Sequence, residues 1–268
     1  DVYKRQLLHL TGFDLPMAEL KAFRQLGSKT PGHPECDVTP GVETTTGPLG
    51  QGIANAVGMA MAEKILAKKF NKKETDLIDH YTYVFCGDGC LMEGISHEVM
   101  SLAGVLELNK LICFYDSNGI SIDGEIKDWY KDDIKLRCKS YGWNVIGEVD
   151  GHNRDEINQA IVAAKESNKP TMIVCKTSIG YGAGSKQDSE SSHGAPLGEE
   201  VLAELRKNLD WEYKPFEIPE SVYADWDFKE KGKNLEENWK AICADHAKND
   251  PEKATLLKRL VSGDLPEN

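Results

Sequence analysis

No C-x-x-C pair occurs among the seven cysteines, Cys36, Cys86, Cys90, Cys113, Cys138, Cys175 and Cys243. An odd count without paired spacing gives no disulfide framework, so a reducing compartment is expected and the location is read as cytoplasmic. No apolar run approaches the roughly 20 residues a membrane helix needs. The most apolar stretch, Ile53–Ala62, is short and carries Asn55. A secretory leader is not expected either. Basic residues are in deficit, with 32 Lys and Arg against 44 Asp and Glu and a formal net charge of −12. Such a surface repels phosphate backbones and anionic lipid, which excludes nucleic acid and membrane as partners. It also repels phosphorylated small molecules at long range, so a phosphate site must be local, built from backbone N–H groups, a cation or a few basic side chains.

What is present is ordinary for a globular protein: 268 residues, 40% hydrophobic and 28% charged, enough for one large core or two small ones. Strand-like and helix-like segments alternate through the middle of the chain. Tyr81–Phe85 is β-branched and aromatic and ends at Gly87-Asp88-Gly89. Ile95, Val99, Leu102, Val105 and Leu106 then recur at helical spacing over 93–108. Leu111–Tyr115 predicts a second buried strand, ending at Asp116-Ser117-Asn118-Gly119. Val145–Val149 predicts a shorter strand, Asn153 an N-cap for a helix to about Glu166, and Thr171–Lys176 a further strand before the glycine-rich 180–184. Apolar strands alternating with amphipathic helices imply an α/β fold, a mostly parallel sheet with helices on both faces. Ligands in such sheets collect at the carboxyl ends of the strands, which points to loops 87–94, 116–124 and 177–194.

Upstream, Gly47–Gly52 feeds a long helix over about Ile53–Phe70. A glycine turn at a helix N-terminus leaves N–H groups open to an anion. A tight turn before a buried helix explains the same residues. It is not a Walker A loop, because Ile53 stands where lysine is required. After about residue 200 the character changes: a helix over 199–209, then Trp211, Pro215, Pro219 and Trp226, then a charged helical run over 234–249. The expected division is an α/β domain over 1–210 and an extension or linker over 211–268 that wraps a neighbour. The Lys68–Lys73 cluster reads as a solvated helix end.

Asp88 and Asn118 each follow a buried strand, and 28 residues separate Gly89 from Asn118. A carboxylate and an amide oxygen at one sheet edge are hard ligands, suited to Mg²⁺ or Ca²⁺. An EF-hand does not fit, because Ile120 and Ser121 occupy its next ligand and glycine positions. Two ordinary turns account for the pair as well.

The stretch Gly87-Asp88-Gly89 through Asn118 resembles the thiamine-diphosphate signature. The words Thr30-Pro31-Gly32-His33-Pro34-Glu35, Gly41–Gly52, Glu93–Val99 and Ser192-His193-Gly194-Ala195-Pro196 resemble those of transketolases. The resemblance runs from about Leu7 to the C-terminus. It implies the thiamine-diphosphate-binding fold with a C-terminal helical extension, and a place in the pentose phosphate pathway. The implied reaction moves a two-carbon ketol unit from a ketose phosphate to an aldose phosphate, with thiamine diphosphate and Mg²⁺ (Ca²⁺ or Mn²⁺ as alternatives) as cofactors. By the resemblance, Asp88, Asn118 and the Ile120 carbonyl ligate the metal and Gly89 N–H supports the diphosphate. Gly47, Pro48, Leu49 and Ile179 line the cofactor. His33 and His193 reach substrate oxygens as the catalytic pair, His193 also lying near the diphosphate. Glu93 and Glu98 lie near a dimer interface. His9, His80, His97, His152 and His246 receive no catalytic role, His97 being a candidate for the interface.

Two departures stand out. Where the family carries further histidines and a Ser-x-Gly-His-Gly word ahead of Leu7, this chain has Asp1–Gln6, which reads as a truncation or a sequence-end artefact. Ser117 stands where an acidic residue is common. The chain stops at Asn268, in what resembles the linker to a pyrimidine-binding domain, which supplies the activating glutamate and most sugar-phosphate anchors. The implied partners are sugar phosphates and either a homodimer or a pyrimidine-binding half, and the chain is expected to be inactive alone. Open alternatives are another thiamine-diphosphate activity such as dihydroxyacetone synthase, a natural subunit of a split enzyme, a cofactor-binding interaction subunit and an inert fragment.

Overall fold

Two runs in which five consecutive side chains are buried, Leu111–Tyr115 and Thr171–Cys175, form the inner strands of a four-stranded parallel sheet. Burial on both faces is what a central parallel strand demands, and each fully buried Ile or Leu stabilises by roughly 1.5–3 kcal/mol. The computed structural model describes residues 3–73 and 75–266. Asp1 and Val2 of the leading hexapeptide lie outside the described residues.

In chain order the helices before the sheet are α1 (Lys4–Thr11), α2 (Met17–Lys21) and α3 (Gln51–Phe70). The sheet region holds β1 (Thr82–Gly87), α4 (Asp88–Met92), α5 (Gly94–Val105), β2 (Leu111–Ser117), a small hairpin of β3 (Ile120–Ser121) and β4 (Gly124–Glu125), α6 (Ile134–Ser140), β5 (Asn144–Asp150), α7 (Arg154–Lys165) and β6 (Thr171–Lys176). Then come α8 (Glu199–Asn208), α9 (Glu220–Trp226), α10 (Lys229–Asn249) and α11 (Pro251–Ser262). The strand order is β1-β2-β6-β5. Its register sets Gly87 beside Asp116 and Ser117 beside Lys176. The residues that follow β1, β2 and β6 therefore emerge along one edge.

On one face, Ile53, Ala56, Val57 and Ala60 of α3, Met100 and Ala103 of α5, and Cys138 of α6 pack on Val84, Cys86, Cys113 and Met172. On the other, Ala160 and Ala164 of α7 pack on Ile112, Phe114, Ile173 and Cys175. Asn153 caps α7 as its sequence predicts, its side chain accepting from the N–H groups of Asp155 and Glu156. The cover is incomplete on the α7 side. One twelve-residue helix does not reach β1, where Phe85 is 77% exposed and stacks on Phe114 at 4.8 Å.

The region after 210 is more helical than expected and packs at several points on its own chain. Tyr223 of α9 shares a hydrogen bond with His9 Nε2 of α1 at 2.8 Å. Trp239 Nε1 donates to Leu77 O at 3.0 Å, and His246 Nε2 lies 3.2 Å from Phe70 O. Phe70, Leu77 and Leu257 form a separate small core there. No helix among the described residues is long and apolar enough to cross a membrane.

Candidate functional site

Three segments meet near the carboxyl edge. The first carries His33. Pro34 and Thr30 beside it are fully buried, and Thr30 Oγ1 donates to Glu19 O at 2.6 Å. Arg5 Nη1 donates to both Pro31 O and Gly32 O at 3.1 Å, while Lys4 Nζ donates to Thr46 Oγ1 at 3.2 Å. The exposed His33 ring lies against Gly47: a Cβ there would stand 2.7 Å from His33 Cγ, and φ at Gly47 is +134°. Only glycine meets both conditions.

The Gly47–Gly50 loop opens α3 through Gly50, whose φ of +80° and close approach to Ile95 and Glu93 again require glycine. No side chain caps this end of α3. Pro48 and Leu49 are exposed, and Leu49 Cδ1 would stand 3.1 Å from a Cβ on Gly89. Gly47, Pro48, Leu49 and Gly89 are thus neighbours, with His33 behind Gly47.

The second segment carries Asp88, which opens α4 directly after β1 and is buried. Its Oδ1 accepts from the Tyr115 hydroxyl and its Oδ2 from Gly119 N–H at 3.0 Å. Asn118 Oδ1 accepts from Ile120 N–H at 2.9 Å, which fixes the amide beside Asp88. Asp88, Asn118 and Ile120 are therefore brought together. Burial pushes the Asp88 carboxyl above the ordinary carboxylate range, opposed by the bonds from Tyr115 and Gly119. Burial, then the carboxylate, push the Tyr115 hydroxyl upward as well. Tyr115 had no place among the sequence candidates. The signal was its parity with Cys113 on a parallel strand, which puts both on the face where Asp88 emerges.

The third segment is the 177–194 loop. Thr177 Oγ1 donates to Asp116 Oδ1, Asp188 N–H to Ile179 O at 2.9 Å, and His193 N–H to Glu190 O at 2.9 Å. Ile179 is half-buried and His193 exposed. No hydrogen bond, ion pair or ring contact joins the His193 side chain to the other candidates among the described residues. His152 lies here too: its Nε2 accepts from Ser178 N–H at 2.9 Å and its ring stacks on Tyr181 at 4.1 Å.

Among the described residues no cluster of three or more His, Cys, Asp or Glu could hold a metal alone. One buried carboxylate, one amide oxygen and a carbonyl form a hard donor set short of charge. That set suits a cation arriving with phosphate oxygens and water, as Mg²⁺ commonly does. His97, a candidate for an interface, bonds within its own chain, with Nδ1 3.0 Å from Tyr141 OH and Nε2 3.1 Å from Arg137 Nη1.

The sheet order, the glycine-fed helix and the loops at one edge define an α/β domain of the kind that binds its ligand at the carboxyl end of a parallel sheet. The family described as "Transketolase, thiamine diphosphate binding domain" matches residues 2–266. Transketolase 1 of Escherichia coli is 57% identical over 263 residues, covering 98% of this chain and 40% of its own length. Transketolase 2 of Vibrio vulnificus is 59% identical over 260 residues, covering 97% and 39%. The structure of transketolase from Leishmania mexicana superposes with a TM-score of 0.95 at 44% identity, over 99% of this chain and 40% of that one. A Pichia stipitis transketolase in complex with sedoheptulose-7-phosphate gives 0.93 at 43%, over 98% and 40%. The chain belongs to the transketolase family, as its thiamine diphosphate binding domain. It spans about two fifths of the length of these relatives. The match starts at residue 2, upstream of Leu7, so Lys4 and Arg5, which carry none of the quoted words, fall inside it.

Proposed function

We propose that this chain is the diphosphate-and-metal half of a transketolase, and that the assembled enzyme moves a two-carbon ketol unit from a ketose phosphate to an aldose phosphate. The observation that carries the reading is the buried Asp88 carboxylate at the sheet's carboxyl edge, fixed beside Asn118 in a chain 57% identical to a transketolase. Asp88, Asn118 and the Ile120 carbonyl hold Mg²⁺, and Gly89 N–H and the open end of α3 face the diphosphate. Bound thiamine diphosphate supplies the carbanion chemistry that stores negative charge during transfer. Gly47, Pro48, Leu49 and Ile179 line it. His33 and His193 donate hydrogen bonds to sugar oxygens, His33 held in place by Gly47 and by the bonds from Arg5 to its loop.

Residues 1–210 form the binding domain, and 211–268 lead toward a pyrimidine-binding half contributed in the same chain or by a partner. The exposed Glu93 and Glu98 face that partner in a dimer. The free thiols at all seven cysteines suit a cytoplasmic setting.

The test is a coupled transketolase assay with thiamine diphosphate and Mg²⁺, on this chain alone and mixed with a pyrimidine-binding half. Silence alone and turnover on mixing are expected. Turnover by the chain alone, or silence of the folded mixture, would overturn the reading.

A further inference from the structure

Arg137 lies outside every segment of the candidate site, on α6, with its side chain nine-tenths buried. Its Nη2 donates to Leu91 O at 2.7 Å. Its Nη1 lies 3.1 Å from His97 Nε2 and donates to Tyr130 OH at 3.1 Å and Asp132 Oδ2 at 2.9 Å. A guanidinium only donates, so the contact at His97 Nε2 is a hydrogen bond in the tautomer that carries its proton on Nδ1, facing Tyr141 OH. Tyr130 OH itself donates to Leu91 O at 3.5 Å.

Leu91 is the next-to-last residue of the short turn that Asp88 opens. The end carbonyls of a single helical turn have no partners of their own. Here Ser96 Oγ donates to Cys90 O at 2.5 Å and Arg137 takes Leu91 O. At the turn's other end, Leu49 Cδ1 would stand 3.1 Å from a Cβ on Gly89. The turn is gripped at both ends, and Arg137 couples it to α5, α6 and the segment carrying Tyr130 and Asp132. Arg137 Nε is buried without a partner. Packing alone would be served as well by an apolar side chain of the same length, which leaves no unpaired N–H.

We infer that Arg137 is a positioning residue for the cofactor site: by holding Leu91 O it fixes the α4 turn, and with it the Asp88 carboxylate and the Gly89 N–H. The inference rests on the assignment of Asp88 proposed above. It is tested by Arg137→Met, which keeps length and removes all donors, and by Arg137→Lys, which keeps charge without the fork. Leu257→Ala, in the separate C-terminal core, serves as a control for lost stability. In the 268-residue chain, amide exchange over 88–95 is expected to quicken about 10-fold or more in R137M and to stay unchanged in L257A. In the chain paired with its pyrimidine-binding half, R137M is expected to raise the KM for thiamine diphosphate at fixed Mg²⁺ by about 10–100-fold. Its kcat at saturating cofactor should stay within about twofold, with R137K recovering part of the loss. Unchanged exchange, unchanged KM in an active pair, or an equal rise in KM in L257A overturns the inference alone. Silence of the unmutated pair overturns the functional reading and the cofactor role of Arg137 with it. Should R137M fail to fold, R137K supplies the same readouts.

Discussion

At the carboxyl edge of the sheet a carboxylate, Asp88, is buried among exposed polar loops; in the C-terminal helices the charges are many and solvated. Asp88 lies under a tyrosine hydroxyl and a backbone N–H, whereas Glu236–Lys240 and Lys233–Glu237 pair along the exposed face of α10. The first arrangement costs free energy unless a cation completes it, because burial penalises the ionised carboxylate. The second contributes little either way, because water and salt screen it. The edge thus buries a charge that the fold alone does not favour, while the extension leaves its charges in water over a small core.

The largest effect that would break this contrast is at Asp88. Asp88→Ala should abolish Mg²⁺-dependent cofactor binding in the assembled enzyme, and a calorimetric titration with unchanged affinity would remove the metal assignment. The chain alone should behave oppositely. The folded carboxyl pKa lies above its unfolded value, so the stability tied to that proton is present at low pH and lost as pH rises through the folded pKa. Thermal melts should therefore find Asp88→Asn above the parent chain at neutral pH, the gap closing as pH falls. Cation affinity should weaken over that same fall.

His193→Ala should lower turnover on the order of 100-fold, as loss of a hydrogen bond to the reacting sugar would, with cofactor affinity nearly intact. Equal losses would reassign it to cofactor binding. Gly104→Ala sharpens the packing side of the comparison. Its Cβ would meet Tyr141 O at 1.7 Å, so α5 must shift, at a cost of about 3 kcal/mol or more by denaturant melts. Leu257→Ala should cost about 2–3 kcal/mol, and the paired enzyme should keep its cofactor KM. A KM that rose with the lost stability would mean the two regions are not separable. Smallest of all, Lys240→Ala should leave the melting temperature unchanged within error.

The strands were legible because parallel-sheet interiors write themselves as unbroken apolar runs: 171–176 matches its predicted limits, and β2 runs two residues past its predicted end. Asn153 announced its helix by cap chemistry. The charged run ends at 249 as expected, but the separate helix α11 was not foreseen, although Asp250 and Pro251 announce it in the same way, with Asp250 Oδ1 accepting from Lys253 N–H. α10 begins at Lys229 rather than 234 because its first turns are polar all round and carry no apolar period. The loops of the candidate site could be placed at one edge from topology alone. The hydroxyl of Tyr115 over Asp88 and the fork of Arg137 under Leu91 could not, since both depend on which strands and helices become neighbours.

Lys4 and Arg5 are consecutive residues on one turn of α1, and they hold two different loops: Arg5 the carbonyls beside His33, Lys4 the hydroxyl of Thr46 beside Gly47. A single turn of helix thus ties together two neighbouring loops of the site. With the His33 ring resting on Gly47, the two loops are joined twice, once to each other and once through α1, as the jaws of a clasp are joined at the tip and at the hinge.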